Sequence, residues 1–261
     1  MRTPKAALPW HGSTLLRRVV GVLGRSLDGP LVVVRAPGQE LPDLPPSVVV
    51  VADAREGRGP LQGLAAGLSA VAGTDVAFVA STDVPLLHPA FVRRVVGAVG
   101  PGIDIAVPVI GGRPHPLSAA YRPSVLTAVE TLLAEDRLRL KTLLDLCPST
   151  TLDEAALRED PALAASDPGL HSVQNVNDAE AYRRLCATPL PPVRIEVAPA
   201  GGVARTEIAP VATLGAAAAY VALDAEHAWD ATVNGDAVSW DAELPLVAGD
   251  VVGFRVTHRP G

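Results

Sequence analysis

The sequence is poor in cysteine and in positive charge. Its two cysteines, Cys147 and Cys186, lie far apart and outside any CxxC pattern. They form neither a disulfide framework nor a zinc site of familiar spacing, and we expect two small, buried or half-buried thiols. The 22 Lys and Arg residues against 28 Asp and Glu residues give a net charge of −6. That sign argues against a protein that binds nucleic acid non-specifically, although one or two well-placed cations could still hold a small phosphate.

The sequence also lacks long apolar runs. The longest, Val211–Leu223, is too short and too rich in alanine to span a bilayer. The first residues, Met1–Lys5, are mostly polar or charged and do not resemble a secretory signal. We therefore expect a cytoplasmic protein with no membrane partner. Hydrophobic residues make up 48% of the 261 residues, which is enough to form a real core and argues against a disordered chain.

From residue 13 to about residue 187, short β-branched runs alternate with longer helical patterns. The valine-rich runs Leu31–Val34 and Val48–Val51 contain no polar residue and predict strands buried on both faces. Ser13 and Thr14 are typical of a helix N-cap and precede a helix predicted over Leu15–Leu27. This alternation predicts an α/β fold with a Rossmann-like, doubly wound, mostly parallel sheet. The other elements predicted are a helix over Leu61–Val71, a strand over Val76–Ala80, a helix from Pro89 and a strand over Ile103–Val109.

The C-terminal part of the sequence shows a different order of predicted strands and helices. Residues 188–192 contain three prolines and predict a semi-rigid linker between a domain over 1–187 and a smaller domain over 193–261. The smaller domain reads as a hairpin turning at Gly201-Gly202, an Ala-rich helix, a hairpin turning at Asn234-Gly235, and a final strand. That order predicts a small β-grasp (α+β) domain.

Ligands of an open parallel sheet bind beyond the carboxyl ends of its strands, and this rule selects three loops. The first contains Asp53 and Gly59-Pro60-Leu61. Its exposed backbone and the start of the next helix favour an anion or the polar edge of a base, although a tight turn alone would show the same pattern. The second contains Asp83. A carboxylate at a strand end beside a phosphate is the simplest way to bind Mg²⁺, the alternative being that Asp83 caps the following turn.

The third loop presents Arg113 and His115 between glycines and prolines. It offers a cation and an imidazole to a ligand, or else a surface arginine and a packed histidine in a simple connection. Further along, Asn175 and Asn177 have the spacing that puts two amides on one face of an extended segment.

Together these pieces resemble one family, the molybdenum cofactor guanylyltransferases, within the Rossmann-like nucleotidyltransferases. The resemblance covers about residues 1–187 and rests on an ordered set of motifs. The matching residues are Lys5–Trp10, Asp53, Gly59–Leu61 with Gly63 and Gly67, Thr82–Pro85, Pro114–Leu117 with Tyr121, and Asn175–Asn177.

The resemblance implies a Mg²⁺-dependent enzyme that transfers GMP from GTP to the terminal phosphate of molybdopterin and releases pyrophosphate. Lys5 and Asp83 are then the catalytic residues, with Asp83 holding the metal. The nucleotide would be contacted by Lys5, Asp53, Gly59, Pro60, Leu61 and Asp83. The acceptor would be contacted by Arg113, His115, Asn175 and Asn177.

The sequence departs from the family at its N-terminus. The family begins with a strand and a Gly-rich loop ahead of the lysine, whereas here Met1 stands at the place of an internal methionine. Loss of that central strand predicts two unpaired ladders inside the sheet. Either the native protein starts upstream of Met1, or the chain is a homologue that binds nucleotide or molybdopterin without catalysis. A third reading is a nucleotidyltransferase for another phosphate acceptor.

Residues 193–261 resemble the sulfur-carrier β-grasp proteins of the ThiS/MoaD type. Those carriers end in Gly-Gly, whereas this chain ends Arg259-Pro-Gly261, and proline fixes φ where the carrier tail must be flexible. We expect a docking or structural role for this domain, with molybdoenzymes or other cofactor-biosynthesis proteins as its partners.

Overall fold

The computed structural model describes residues 4–53, 58–198, 203–223 and 228–257. Its helices within those residues are α1 (Leu15–Gly24), α2 (Gly59–Ala70), α3 (Pro89–Val96), α4 (Leu126–Ala134), α5 (Leu140–Leu146), α6 (Glu154–Arg158), α7 (Pro161–Ser166), α8 (Ala179–Cys186) and α9 (Leu214–Tyr220). The strands are β1 (Pro9–Trp10), β2 (Ser13–Thr14), β3 (Leu31–Arg35), β4 (Val48–Ala52), β5 (Ala77–Ala80), β6 (Ile105–Ile110), β7 (Arg113–Pro114), β8 (Ser118–Tyr121), β9 (Ser149–Leu152), β10 (Pro192–Ala198), β11 (Arg205–Pro210), β12 (Ala228–Val233), β13 (Asp236–Val238) and β14 (Val251–Thr257). Short 3₁₀ turns lie at Lys5–Ala7, Pro123–Val125 and His171–Val173.

The chain divides into two compact units. The central unit is Leu23–Gln174, and the terminal unit combines Met1–Val22 with Asn175–Gly261. The N-terminal residues thus group with the C-terminal strands. The predicted linker, 188–192, lies where α8 ends at Cys186 and β10 begins at Pro192.

The main sheet of the central unit contains β5, β8, β6 and β9, with the short β7 paired to the end of β6. β8 runs antiparallel to β5 and β6, and β9 runs parallel to β6, so β5, β6 and β9 point the same way. Helices α2, α4 and α5 pack on this sheet through a common core. Its members include Leu61, Leu64, Ile105, Ala119, Val129, Leu132 and Leu143. The predicted α/β class is confirmed.

Strands β3 and β4 form a separate parallel pair in the same unit. The prediction that both are buried on two faces is wrong. Val49 and Val50, which point to opposite faces of β4, are 49% and 43% exposed, and Val33 is the buried residue of β3. A continuous apolar run predicts two-sided burial only where helices cover both faces. Here α2 lies against β3, where a Cβ built on Gly67 meets Val34 at 3.4 Å, and β4 has β3 as its one strand neighbour among the described residues.

Strands β3 and β5 are among the strands of the central unit that pair with a single neighbour within the described residues. β3 pairs with β4 alone, and β5 pairs with β8 alone. Each presents a row of backbone N–H and C=O groups that another strand could pair with.

The terminal unit contains a five-stranded sheet in the order β11-β10-β14-β12-β13, with β10 and β14 parallel at its centre. The predicted order of hairpin, helix, hairpin and strand is found, and α9 packs its alanines on the sheet. The turn predicted at Gly201-Gly202 lies outside the described residues. The turn at Asn234-Gly235 is confirmed, because both residues have positive φ, 54° and 91°, as a type I′ hairpin requires.

The N-terminal residues of the terminal unit form a small hairpin followed by α1. β1 and β2 pair across a two-residue turn at His11 and Gly12. The helix begins at Leu15, as predicted, and the Thr14 hydroxyl accepts a hydrogen bond from the Arg17 amide at 3.3 Å. It ends at Gly24, earlier than expected. No helix in the described part of the chain has both the length and the apolar character needed to cross a membrane. Cys147 and Cys186 are free and half-buried, as predicted.

Candidate active site

The first candidate loop follows β4 in the central unit. Asp53 comes directly after the strand, and its amide donates to the Arg35 carbonyl at 2.7 Å. Helix α2 then begins at Gly59, whose φ is +68°, with Pro60 in its first turn and with no side-chain cap on its first amides. Leu61 is fully buried in the core. A ligand at this helix start would therefore meet the backbone amide of Leu61 and not its side chain.

Arg58, the residue directly before α2, is bonded to another helix. Its guanidinium donates to the Leu133 carbonyl at 2.7 Å and to Asp136 Oδ1 at 2.8 Å, both at the C-terminal end of α4. A cation at a helix C-terminus is favourable because the last carbonyls carry partial negative charge. Arg58 thereby connects the start of α2 to the end of α4. No local pattern marks Arg58 in the sequence, because its partners lie more than seventy positions further along the chain.

The second candidate loop follows β5 and contains Asp83. The Asp83 carboxylate is 9% exposed, and its Oδ1 accepts a hydrogen bond from the Ser81 hydroxyl. The Ser81 amide donates to the Leu117 carbonyl at 2.9 Å. This backbone bond continues the β5–β8 ladder, in which Ala80 faces Ser118. The structure therefore brings the Asp83 loop beside the segment that contains His115.

No group of three or more His, Cys, Asp and Glu side chains converges on a metal-binding geometry among the described residues. Asp83 is the carboxylate that this loop places near the end of β5. A single carboxylate fits Mg²⁺, which is often bound by one or two carboxylates together with substrate phosphates and water.

The third candidate loop begins with the hairpin between β6 and β7. Gly111 and Gly112 have φ values of 58° and 69°, the geometry of a type I′ turn. Glu154, at the start of α6, accepts a hydrogen bond from the Gly111 amide at 2.8 Å. Arg113 follows and is exposed. Glu154 was missed from the sequence because nothing near it marks it as a partner of this turn.

His115 and the residues after it are held in place by the sheet. The His115 amide donates to the Pro108 carbonyl at 2.9 Å. The buried Tyr121 hydroxyl donates to the Pro116 carbonyl at 2.7 Å. Partial burial lowers the pKa of His115; a hydrogen bond with the Ile110 backbone opposes this, and the nearby Arg113 charge adds to it. The imidazole is therefore held toward its neutral form.

The remaining candidate residues lie in the terminal unit. Lys5 begins the 3₁₀ turn Lys5–Ala7 and is half-buried. Asn175 and Asn177 flank Val176, which is fully buried, so the two amides share the side away from the core. The spacing of the two asparagines in the sequence predicts such a shared face.

Asp178 links Lys5 to the asparagine segment. It caps α8 by accepting hydrogen bonds from the amides of Glu180 at 2.9 Å and Ala181 at 2.8 Å. The bond from Ala181 makes the largest contribution to lowering the pKa of Asp178, and the charges of Arg184 and Lys5 add to it. Lys5 is therefore close enough to the start of α8 to act on this carboxylate.

Within the central unit, the buried carboxylate of Asp83 lies beside the segment that contains His115, and the uncapped start of α2 follows β4 in the separate β3–β4 pair. In an α/β protein, ligands bind at the strand ends, and uncapped helix starts favour anions. Comparison with known proteins narrows the class.

Residues 1–151 match the sequence profile of the MobA-like NTP transferase domain. A protein of Mycobacterium avium (strain 104) named as a probable molybdenum cofactor guanylyltransferase is 36% identical over 150 residues, 56% of this chain and 74% of that protein. A protein of the same name from Mycobacterium tuberculosis (strain ATCC 25618 / H37Rv) is 37% identical over 150 residues, 56% of this chain and 73% of that protein.

The crystal structure of molybdopterin-guanine dinucleotide biosynthesis protein A from Archaeoglobus fulgidus has a TM-score of 0.54 to this chain. The match is 19% identical and covers 70% of this chain and 89% of that one. At that identity the likeness concerns the fold alone. The chain belongs to the MobA-like NTP transferase family, since the family profile spans more than half of its length.

Proposed function

We propose that this chain is a molybdenum cofactor guanylyltransferase, which transfers GMP from GTP to molybdopterin and releases pyrophosphate. The observation that carries the proposal is the identity of 36–37% over 150 residues to proteins of that name. The presence of Lys5, Asp53, Asp83, Asn175 and Asn177 at the positions of the family motifs supports it.

The reaction itself asks for little acid–base help from the protein. A phosphate oxygen of molybdopterin attacks the α-phosphorus of GTP, and the bond from that phosphorus to the bridging oxygen of the β-phosphate breaks. Pyrophosphate leaves with the bonding electron pair. The attacking phosphate monoester, with a second pKa of about 6, is already mostly a dianion at neutral pH. The protein must therefore align the two phosphates and neutralise their charge.

On the nucleotide side, Lys5 would contact the triphosphate and Asp53 would contact the nucleoside. Gly59 and Pro60 expose the start of α2, and Leu61 would contribute its backbone amide. Such amides can donate a hydrogen bond to a polar base edge or to a phosphate oxygen. We therefore propose the preference for guanine from the names of the relatives, and the comparison of GTP with CTP and ATP tests it.

Asp83 is the residue that would hold a divalent cation, and we propose Mg²⁺. The cation, when bound, would neutralise charge on the triphosphate and on the leaving pyrophosphate. The Ser81 hydroxyl donates to Asp83 Oδ1 and orients the carboxylate. The short, fixed connection to β5 keeps this carboxylate at the edge of the sheet.

On the acceptor side, Arg113, His115, Asn175 and Asn177 would contact molybdopterin. Arg113 is exposed at a rigid turn and supplies positive charge for a phosphate. His115 is held toward its neutral form, so one ring nitrogen can accept a hydrogen bond and the other can donate one. The two asparagines offer the same mixed chemistry to a pterin edge.

We further propose that residues 193–261 form a β-grasp-like domain with a docking role toward molybdoenzymes or other cofactor-biosynthesis proteins, and that the chain works in the cytoplasm. The sheet order β11-β10-β14-β12-β13, with a parallel central pair, supports the domain assignment.

The test is pyrophosphate release by the full chain with Mg²⁺, molybdopterin and, in turn, GTP, CTP or ATP. We expect release that depends on molybdopterin and is fastest with GTP. Equal rates with all three nucleotides would contradict the guanylyl assignment. Release of pyrophosphate with a sugar phosphate in place of molybdopterin would contradict the assignment of molybdopterin as the acceptor.

A further inference from the structure

The first half of α1 lies against the C-terminal residues of the same unit through a buried arginine. Arg18 is 5% exposed, and its guanidinium donates to the Ala212 carbonyl at 3.3 Å and to the Leu246 carbonyl at 3.4 Å. A buried guanidinium is costly unless acceptors surround it. These carbonyls come from two separate segments, so Arg18 joins both of them to α1.

Arg17 makes a second, charged connection one residue earlier. Its guanidinium pairs with Asp241 at 2.5 Å and with Glu243 at 3.3 Å. The Ser13 hydroxyl donates to the same Glu243 carboxylate at 3.0 Å. Asp241 also accepts a hydrogen bond from the Glu243 amide at 3.0 Å, which helps to hold the two acidic residues in place. Arg17 is 13% exposed and the acids are 33% and 39% exposed, so water screens these pairs less than a surface pair.

Close packing at Gly21 completes the contact. A Cβ built on Gly21 would lie 2.4 Å from Cδ and 2.7 Å from Cγ of Pro245. The proline ring is rigid and cannot move aside. The close contact between this face of α1 and the C-terminal segment therefore requires a residue without a Cβ at position 21.

The same part of α1 is tied to the Lys5 turn. The Leu15 amide, at the start of α1, donates to the Leu8 carbonyl at 3.0 Å, and the Leu8 amide donates to the Lys5 carbonyl at 3.1 Å. Two backbone hydrogen bonds thus connect the lysine to the helix that Arg17 and Arg18 hold. The position of the lysine follows that of α1.

We propose that the C-terminal domain positions Lys5 for the nucleotide by clamping α1, and that Arg17 and Arg18 are the positioning residues of this clamp. The proposal rests on the proposed function for the role of Lys5. In this proposal the C-terminal residues contribute to nucleotide binding by holding α1, without contacting the nucleotide themselves.

The experiment uses charge exchange in the full chain. Arg17→Asp places like charges opposite Asp241 and should release the clamp, whereas Arg17→Asp with Asp241→Arg restores a pair of opposite charge. Hydrogen exchange of residues 5–16 reports the clamp without needing any activity. We expect exchange at least about fivefold faster in Arg17→Asp and clearly slower again in the exchanged pair. The recovery is partial because the introduced aspartate also faces Glu243. The exposed Arg194→Glu is the matched charge control.

Steady-state kinetics then tests the link to Lys5. Arg17→Asp should raise KM for GTP about tenfold, equivalent to roughly 1.4 kcal/mol, with a smaller change in kcat. In a Lys5→Ala background the same substitution should add no further increase, because the residue it positions is gone.

Unchanged exchange in Arg17→Asp, or an undiminished KM effect in the Lys5→Ala background, would overturn the proposal. A wild-type chain that turns over no GTP would instead contradict the proposed function, and the exchange data would then decide on the clamp alone.

Discussion

Arg58 should stabilise the start of α2 by a measurable amount, and replacing it with methionine tests this. Methionine keeps most of the apolar stem and removes the guanidinium. The substitution deletes the hydrogen bond to the Leu133 carbonyl at 2.7 Å and the ion pair with Asp136 at 2.8 Å. Both connect Arg58, the residue directly before Gly59, to the end of α4.

The two contacts differ in strength. A hydrogen bond from a charged donor contributes about 1.5–3 kcal/mol, and the low end applies because the Asp136 amide also donates to the Leu133 carbonyl. Asp136 is 81% exposed, so its ion pair with Arg58 contributes roughly 0–1 kcal/mol after solvent screening. We expect Arg58→Met to cost about 1.5–2 kcal/mol and Asp136→Asn to cost less than about 1 kcal/mol.

Scanning calorimetry is the suitable assay. The three tryptophans, Trp10, Trp229 and Trp240, all lie in the terminal unit, so their fluorescence does not report the central unit. For a unit of this size a loss of 1.5–2 kcal/mol lowers Tm by roughly 3–8 °C. A change below about 1 °C in Arg58→Met, or an equal change in Asp136→Asn, would refute the assignment of the main stabilisation to the carbonyl contact. If α2 also contacts the nucleotide, KM for GTP rises in parallel.

Three further outcomes are expected. Asp83→Asn should reduce turnover at least about 100-fold while keeping the fold, because the amide oxygen can still accept from the neighbouring hydroxyl; Asp75→Asn, an exposed acid just before β5, is the control in the same pyrophosphate assay. Tyr121→Phe should cost about 1–2 kcal/mol in calorimetry, because a buried hydroxyl loses its bond to the Pro116 carbonyl. Burial lowers the pKa of His115 in the folded state from 6.5. The unfolded chain therefore binds more protons just below pH 6.5, and stability falls as the pH drops through that window. His115→Gln should flatten this part of a stability–pH curve, and an unchanged slope would contradict the burial of the ring.

Local patterns predicted those elements whose cause is local. Asn234-Gly235 predicted a tight hairpin because these residues accept positive φ, and both adopt it. Pro89 begins α3 in the first turn, where the missing N–H costs nothing, and His88 caps that helix by accepting from the Ala90 amide. The rule that ligands meet the carboxyl ends of strands selected the Asp83 and His115 loops, which the β5–β8 ladder places side by side.

Features that depend on distant partners were not predictable. The run Val48–Val51 fits a doubly covered strand, yet Val49 and Val50 are half exposed because coverage is a property of the neighbours. Leu61 matched a nucleotide motif, whereas its side chain fills the core. The grouping of residues 1–22 with the C-terminal strands depends on pairs such as Arg17 with Asp241, which no local pattern marks.

The most direct test of the proposed activity is mass spectrometry of the product formed by the full chain from GTP, molybdopterin and Mg²⁺. We expect a molybdopterin–guanine dinucleotide, formed in an amount equal to that of pyrophosphate. A chain that binds GTP and molybdopterin but leaves both unchanged would contradict it and would show a binding protein on a nucleotidyltransferase fold.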